Sequence, residues 1–271
     1  MDVTPLSWST PAGAVMRGSL YHPAGDGPAC AAGTDLVVLH HGFASTRTEA
    51  LGLFMGLARE LCARGFTVAS FDRVAHGESD GEFDRITIET EVEDAVGAIT
   101  WLADHPTLRP RSVSLLGMSM GAVVAGVAAA RLRTPVASMV FWSPAAVFAD
   151  ELRGGSIQGR PFGDLATTGY VDFLGLRLSA AYVDAAARFD PYAQARGYEG
   201  PVLVMHGADD AIVPSSYALA YGDVYGDRAE ITVVDGADHG WSSVGAREVL
   251  YDRTLAFLVR HTAPVAARPG A

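Results

Sequence analysis

Residues 112–131 read SVSLLGMSMGAVVAGVAAAR, and the two halves of that stretch differ in kind. The run 112–117 (SVSLLG) is short, apolar and unbroken, the pattern of a strand buried on both faces, whereas Ala122, Ala125, Gly126 and Ala128 belong to a helix rich in small residues. Between them Gly117-Met118-Ser119-Met120-Gly121 is a G-x-S-x-G motif in its required setting, a strand running directly into a helix. The two glycines allow a tight, strained turn that projects the Ser119 hydroxyl into solvent above a helix N-terminus.

The sequence on either side repeats this strand-then-helix unit. Similar apolar runs occur at 36–40 (LVVLH), 66–71 (FTVASF), 136–142 (VASMVFW), 201–206 (PVLVMH) and 230–234 (EITVV). Helical spacing fills the gaps, as in Leu51, Phe54, Ala58 and Leu61, or Ile88, Val92, Val96, Ile99 and Leu102. Glu89, Glu91, Glu93 and Asp94 fall in the first turns of the second of these helices, where they are expected to favour the positive end of its dipole. Upstream, alternating segments at 6–10 and 14–21 around Pro11-Ala12-Gly13 predict an antiparallel β-hairpin. The fold class is therefore α/β, doubly wound, with a mostly parallel central sheet, helices on both faces and a ligand site at the carboxyl ends of the strands.

One connection breaks the rhythm, because 54 residues (145–198) separate two strands that a single crossover helix would join. With Phe148, Phe162, Tyr170, Phe173, Leu174, Leu176 and Tyr182, this insertion has enough apolar surface to sit over a pocket as a cap; the plainer alternative packs it on the sheet edge. Phe162 and Tyr170 are its aromatic candidates for touching a substrate. The expected organisation is a core of 1–144 and 199–262, a cap at 145–198 and a short Ala/Pro/Gly tail at 263–271 that frays.

Composition narrows the chemistry. Of 271 residues 49% are hydrophobic and 19% charged, which suits one sizeable core. A formal charge of −11 with no basic run argues against a nucleic-acid surface. All 20 basic residues are Arg; without Lys there is no Walker-type phosphate loop, Schiff-base lysine or Ser-Lys dyad. Cys30 and Cys62 make neither a disulfide framework nor a C-x-x-C motif. The N-terminus lacks the pattern of a secretory signal and no run of apolar residues is long enough to span a membrane, so a soluble, cytoplasmic protein is expected.

A serine hydroxyl needs a neighbouring base, itself oriented by a carboxylate. Two loops after predicted strands supply both: HGADDAIVP at 206–214 and GADHG at 236–240, with His239 as the base. Counting a G-x-x-D-x-x-V-P pattern from Gly207 selects Asp210 and leaves Asp209 as a loop cap or solvated neighbour, while Asp238 is a turn residue. The backbone N–H groups of Met120 and of Phe43, in the loop His40-His41-Gly42-Phe43, are placed to bind an oxyanion. The paired histidines lack the further ligands of a metal site and are expected to shape the loop. Asp72, His76, Gly77, Ser79 and Gly81, after the 66–71 run, read as a structural loop, with His76 a weaker rival base.

With these motifs in place, the sequence resembles the α/β-hydrolase superfamily over nearly its whole length, and within it the bacterial feruloyl/cinnamoyl esterases. The resemblance is carried by HHGF at 40–43, DRVAHGESDGEF at 72–83, ETEVEDA at 89–95, GMSMG at 117–121, SPAA at 143–146, HGADDAIVP at 206–214 and GADHGW at 236–241. The chain order Ser119, Asp210, His239 is that of the superfamily. It implies a cofactor-free, metal-free serine carboxyl-ester hydrolase that passes through an acyl-enzyme and acts on small esters, hydroxycinnamoyl-type aromatics among them. In that group a cap covers the acyl pocket and its polar residues contact a phenolic hydroxyl; here 144–159 (PAAVFADELRGGSIQG) offers Glu151 or Asp150, and Gln158. One departure is GMSMG in place of a GHSQG-like motif, a form that resembles other hydrolases and cofactor-free haloperoxidases. A thioesterase, lactonase or acyltransferase of secondary metabolism would use the same three residues, and a catalytically silent binding protein would be expected to have lost one. The implied partners are a small-molecule ester or thioester and at most a second copy in a homodimer, not nucleic acid or a membrane.

Overall fold

Eight strands form one sheet among the described residues, in the order β1 (Asp2–Ser9), β2 (Val15–His22), β4 (Thr67–Phe71), β3 (Asp35–His40), β5 (Ser112–Met118), β6 (Ser138–Trp142), β11 (Val202–Gly207) and β12 (Ala229–Val234). The computed structural model describes residues 1–25 and 33–262, so Cys30 and the 263–271 tail lie outside the described residues. The expected hairpin is β1 (Asp2–Ser9) with β2 (Val15–His22), paired antiparallel from Asp2 opposite His22 to Ser9 opposite Val15. Then follow β3 (Asp35–His40), α1 (Leu53–Ala63), β4 (Thr67–Phe71), α2 (Ile88–Ala103), β5 (Ser112–Met118), α3 (Met120–Arg131) and β6 (Ser138–Trp142). β2 meets β4 antiparallel, and from β4 to β12 every neighbouring pair is parallel.

The 145–198 insertion is built of short pieces: α4 (Phe148–Arg153), β7 (Ser156–Ile157), β8 (Arg160–Pro161), α5 (Leu165–Thr168), β9 (Tyr170–Phe173), β10 (Leu176–Ser179), α6 (Ala180–Ala187) and α7 (Pro191–Ala195). Phe148, Leu152, Ile157, Phe173, Leu178 and Tyr182 join the core that α2 and α3 make with one sheet face. The chain then returns through β11 (Val202–Gly207), α8 (Ser215–Leu219), α9 (Tyr221–Tyr225), β12 (Ala229–Val234) and α10 (Val244–His261). On the opposite face Phe54, Leu57 and Leu61 of α1 and Leu250 and Phe257 of α10 bury Val37, Leu39, Val140 and Trp142. Among the described residues no helix is long and apolar enough to cross a membrane.

One expectation needs correction. Leu51 is not on the buried face of α1; it sits 78% exposed in a 3-10 turn with a positive φ of 54°, and the helix starts at Leu53. The acidic run opens α2 as expected, with Glu89 and Glu91 in its first turn, but its residues face different ways. Thr87 and Thr90 cap the helix reciprocally and Glu89 pairs at the surface with Arg131, but Glu91 and Asp94 are buried, because i, i+3 spacing turns both toward the interior. Burial pushes the Asp94 carboxyl up to about 7, against the opposing pull of the Val74 N–H and Arg73.

Candidate active site

At the end of β5 the chain turns through Ser119 at φ 55° and ψ −121°, a conformation that costs a non-glycine residue about 1–3 kcal/mol. Close packing enforces it. A Cβ on Gly117 would lie 2.2 Å from the Gly121 carbonyl, and one on Gly121 would lie 2.0 Å from the His40 carbonyl. The Ser119 N–H donates to the Trp142 carbonyl at 2.8 Å and its own carbonyl accepts from Ala145 at 3.2 Å, tying the turn to the end of β6.

His239, in the loop after β12, places Nε2 3.0 Å from Ser119 Oγ and Nδ1 2.7 Å from Asp210 Oδ2. Asp210 follows β11; its side chain is only 1% exposed, and Oδ1 accepts the N–H groups of Ile212 at 2.9 Å and Val213 at 2.8 Å. Burial works against that carboxylate, but the bonds from His239 and the two amides prevail and hold its pKa below the usual range. His206 backs the same carboxylate at 3.4 Å while donating from Nε2 to the Val213 carbonyl at 2.9 Å. Asp209 points outward and is exposed, and Asp238 closes its own turn by accepting from Ser242. The two loops meet at Gly207, where a Cβ would lie 2.2 Å from the Ala237 carbonyl.

The loop after β3 runs past Ser119, since a Cβ on Gly42 would be 3.4 Å from that of Ser119. Gly42 N–H donates to the Glu49 carboxylate, while among the described residues the Phe43 and Met120 N–H groups meet no protein acceptor. His41 accepts the Arg73 N–H on Nε2 at 3.1 Å and therefore donates from Nδ1 to the Gly42 carbonyl at 2.8 Å. Burial and Arg73 push His40 down to about 3, so it is neutral. His76 donates from Nδ1 to the Val74 carbonyl at 3.0 Å and packs against His41 and Phe83.

Above Ser119 lies a cleft of about 410 Å³ of open space, solvent at its mouth included. Its walls are Phe43, Phe148, Leu152, Ile157 and Tyr182, with Glu151 and Gln158 as polar members. Glu151 accepts the Gln158 N–H at 2.9 Å, and Gln158 holds a positive φ of 48°.

The family described as Serine aminopeptidase, S33 (Hydrolase_4) matches residues 32–168. This chain belongs to that family. Among curated relatives, an uncharacterized 31.7 kDa protein of Escherichia coli is 30% identical over 107 residues, 40% of this chain and 32% of that one. The polyketide transferase ATR5 of Stachybotrys chlorohalonatus is 32% identical over 126 residues, 46% of this chain and 39% of that one. The matched regions thus span only 32% and 39% of these relatives. Of solved structures, Est1E from Butyrivibrio proteoclasticus with bound ferulic acid superposes with a TM-score of 0.83 at 21% identity, covering 94% of this chain and 98% of that one. At that identity the likeness establishes a shared α/β-hydrolase fold.

In this S33-family chain three residues expected at the pocket lie elsewhere. Asp150 bonds Arg153 at 2.5 Å and the Tyr217 hydroxyl at 2.8 Å on the outside of α4, since consecutive helical residues project about 100° apart. Phe162 packs partly buried beside β8, its N–H on the Gly155 carbonyl, and Tyr170 lies in the β9–β10 hairpin with Arg177 5.1 Å over its ring. Conversely, Leu152, Ile157, Ile212 and Val213 line the cleft unforeseen, and Tyr182, expected only as part of the insertion's apolar surface, lines it too. A signal existed for Leu152, because Phe148, Glu151 and Leu152 share one face at i, i+3, i+4 spacing. For Tyr182 the signal stopped at its membership of the insertion's apolar surface, as its exact place depends on how the insertion folds back.

Proposed function

We propose that the protein is a serine ester hydrolase in which Ser119, His239 and Asp210 act as a catalytic triad. The observation that carries this reading is the continuous chain of hydrogen bonds from Ser119 Oγ through both His239 nitrogens to a buried Asp210, standing on a strained strand-to-helix turn. Ser119 Oγ attacks the ester carbonyl while His239 Nε2 takes its proton, and Asp210 holds the imidazole and stabilises its charged form. The oxyanion receives the N–H groups of Phe43 and Met120. His239 returns the proton to the leaving alcohol, an acyl-enzyme forms, and water admitted to the same base releases the acid and regenerates Ser119.

The acyl group lies in the cleft, with the 145–198 segment acting as a cap on a core of 1–144 and 199–262. Apolar walls with Glu151 and Gln158 at the polar end suit a small acyl group that carries a hydrogen-bond donor. A hydroxycinnamoyl group has that form, and the ferulic acid in Est1E supports the choice. A second reading, transfer of the acyl group from an ester or thioester to an acceptor other than water, draws on the polyketide transferase among the relatives.

A matched panel tests both: methyl ferulate, short and medium aliphatic esters, an acyl thioester and a simple lactone, each with wild type and Ser119→Ala. Ser119-dependent preference for the hydroxycinnamate supports the first reading. Poor turnover of every ester by a protein whose Ser119 still reacts with a fluorophosphonate supports the second.

A further inference from the structure

Arg73 is 2% exposed, and each of its guanidinium nitrogens has a partner. Nε donates to Glu91 Oε1 at 3.0 Å, Nη1 to the His41 carbonyl at 2.8 Å and Nη2 to the Gly42 carbonyl at 3.2 Å. Glu91, equally buried, accepts the Tyr182 hydroxyl on its other oxygen at 3.0 Å, and the Tyr182 ring lines the cleft and packs 5.4 Å from Phe43. A buried ion pair is seldom needed for stability, because apolar side chains of similar size serve as well. What apolar side chains cannot do is hold two consecutive carbonyls in fixed directions.

Those carbonyls immediately precede the Phe43 N–H. The Gly42–Phe43 peptide is trans and planar, so its C=O and N–H point in opposite directions. With the Gly42 oxygen held by Arg73 Nη2 and by His41 Nδ1, the Phe43 N–H must face away from Arg73, and Gly42 itself abuts Ser119 on the other side. Glycine at this position would otherwise let the peptide rotate.

We propose that Arg73 is a positioning residue for the reaction: anchored by Glu91 and, through Tyr182, by the segment over the cleft, it sets the Gly42–Phe43 peptide so that the Phe43 N–H meets the developing oxyanion. This rests on the hydrolase reading above. Two variants test it. Arg73→Lys keeps a positive charge facing Glu91 but replaces the planar fork with a point charge; Arg73→Met with Glu91→Gln removes both buried charges together. Each is compared with wild type in kcat, KM, the pH profile of kcat/KM and affinity for a trifluoromethyl ketone, whose adduct with Ser119 places an oxyanion in the hole. Folded protein is counted by circular dichroism.

The expected result is a loss of about 100- to 1000-fold in kcat, the scale of a missing oxyanion donor. KM should stay within about threefold, ketone affinity should fall in parallel with kcat/KM, and the pH profile should keep its midpoint. If either folded variant keeps kcat and ketone affinity within about threefold, or loses them only in proportion to the folded fraction, Arg73 is purely structural and the inference falls. Failure of wild-type Ser119 to react with a fluorophosphonate would bring down the hydrolase reading itself, which distinguishes the two failures.

Discussion

Asp209 and Asp210 are adjacent, chemically identical and assigned opposite roles. Asp210 is buried against His239 and two amides, whereas Asp209 is exposed. Asp210→Asn should therefore lower kcat by about 10⁴-fold, since the amide favours the wrong imidazole tautomer, while steady-state kinetics of Asp209→Asn should stay within about twofold of wild type. The reverse pattern would exchange their roles. This choice was legible in the sequence because Val213-Pro214 fixes the register, and the amide of Val213 is one of those the carboxylate binds. The choice between Asp150 and Glu151 was legible only in part: i, i+3, i+4 spacing groups Glu151 with Phe148 and Leu152, but that this face meets the cleft is set by packing. Gly121→Ala should abolish soluble, fluorophosphonate-reactive protein, as its methyl group would meet the His40 carbonyl at 2.0 Å.

The parallel strands were readable as apolar runs because both of their faces are buried, so each residue reports the environment directly. The insertion yields less, since its pieces are mostly two to eight residues long and their direction is set by packing rather than by periodicity. Within it, Glu151→Gln and Gln158→Ala should raise KM for hydroxylated aromatic esters more than for aliphatic ones. Asp150→Asn should change neither; equal effects on both ester types would remove Glu151 and Gln158 from substrate contact. Helix α2 shows a different limit: an acidic run reads as a helix start favoured by the dipole, and nothing local tells that Arg73 and Tyr182 arrive from elsewhere to bury Glu91. Its Asp94 has a pH consequence. A carboxyl whose folded pKa is about 7, above its unfolded value near 4, binds its proton more tightly in the native state. Its contribution to stability is full below about pH 4 and lost as the pH rises through about 7. Asp94→Asn can still accept the Val74 N–H at a neutral oxygen, so its melting temperature relative to wild type should increase between pH 5 and pH 8. A difference that stays constant over that range would contradict the assignment.

Across the whole molecule, Phe43, Ser119, Asp210 and His239 come from four separate loops, each following the carboxyl end of a different parallel strand. That convergence is a property of the fold, and it explains why chain order sufficed to propose the constellation before any distance was known. Depth and width of the cleft depend on where the insertion places Phe148, Leu152, Ile157 and Tyr182, which chain order does not reveal. The most direct measurement is intact-protein mass spectrometry after fluorophosphonate treatment, run beside ester turnover by the same samples. A serine hydrolase built on this constellation gives one adduct per chain, mapped to Ser119, with both adduct and turnover lost in Ser119→Ala and in His239→Ala. An unmodified wild-type chain, or ester turnover that survives Ser119→Ala, would contradict it.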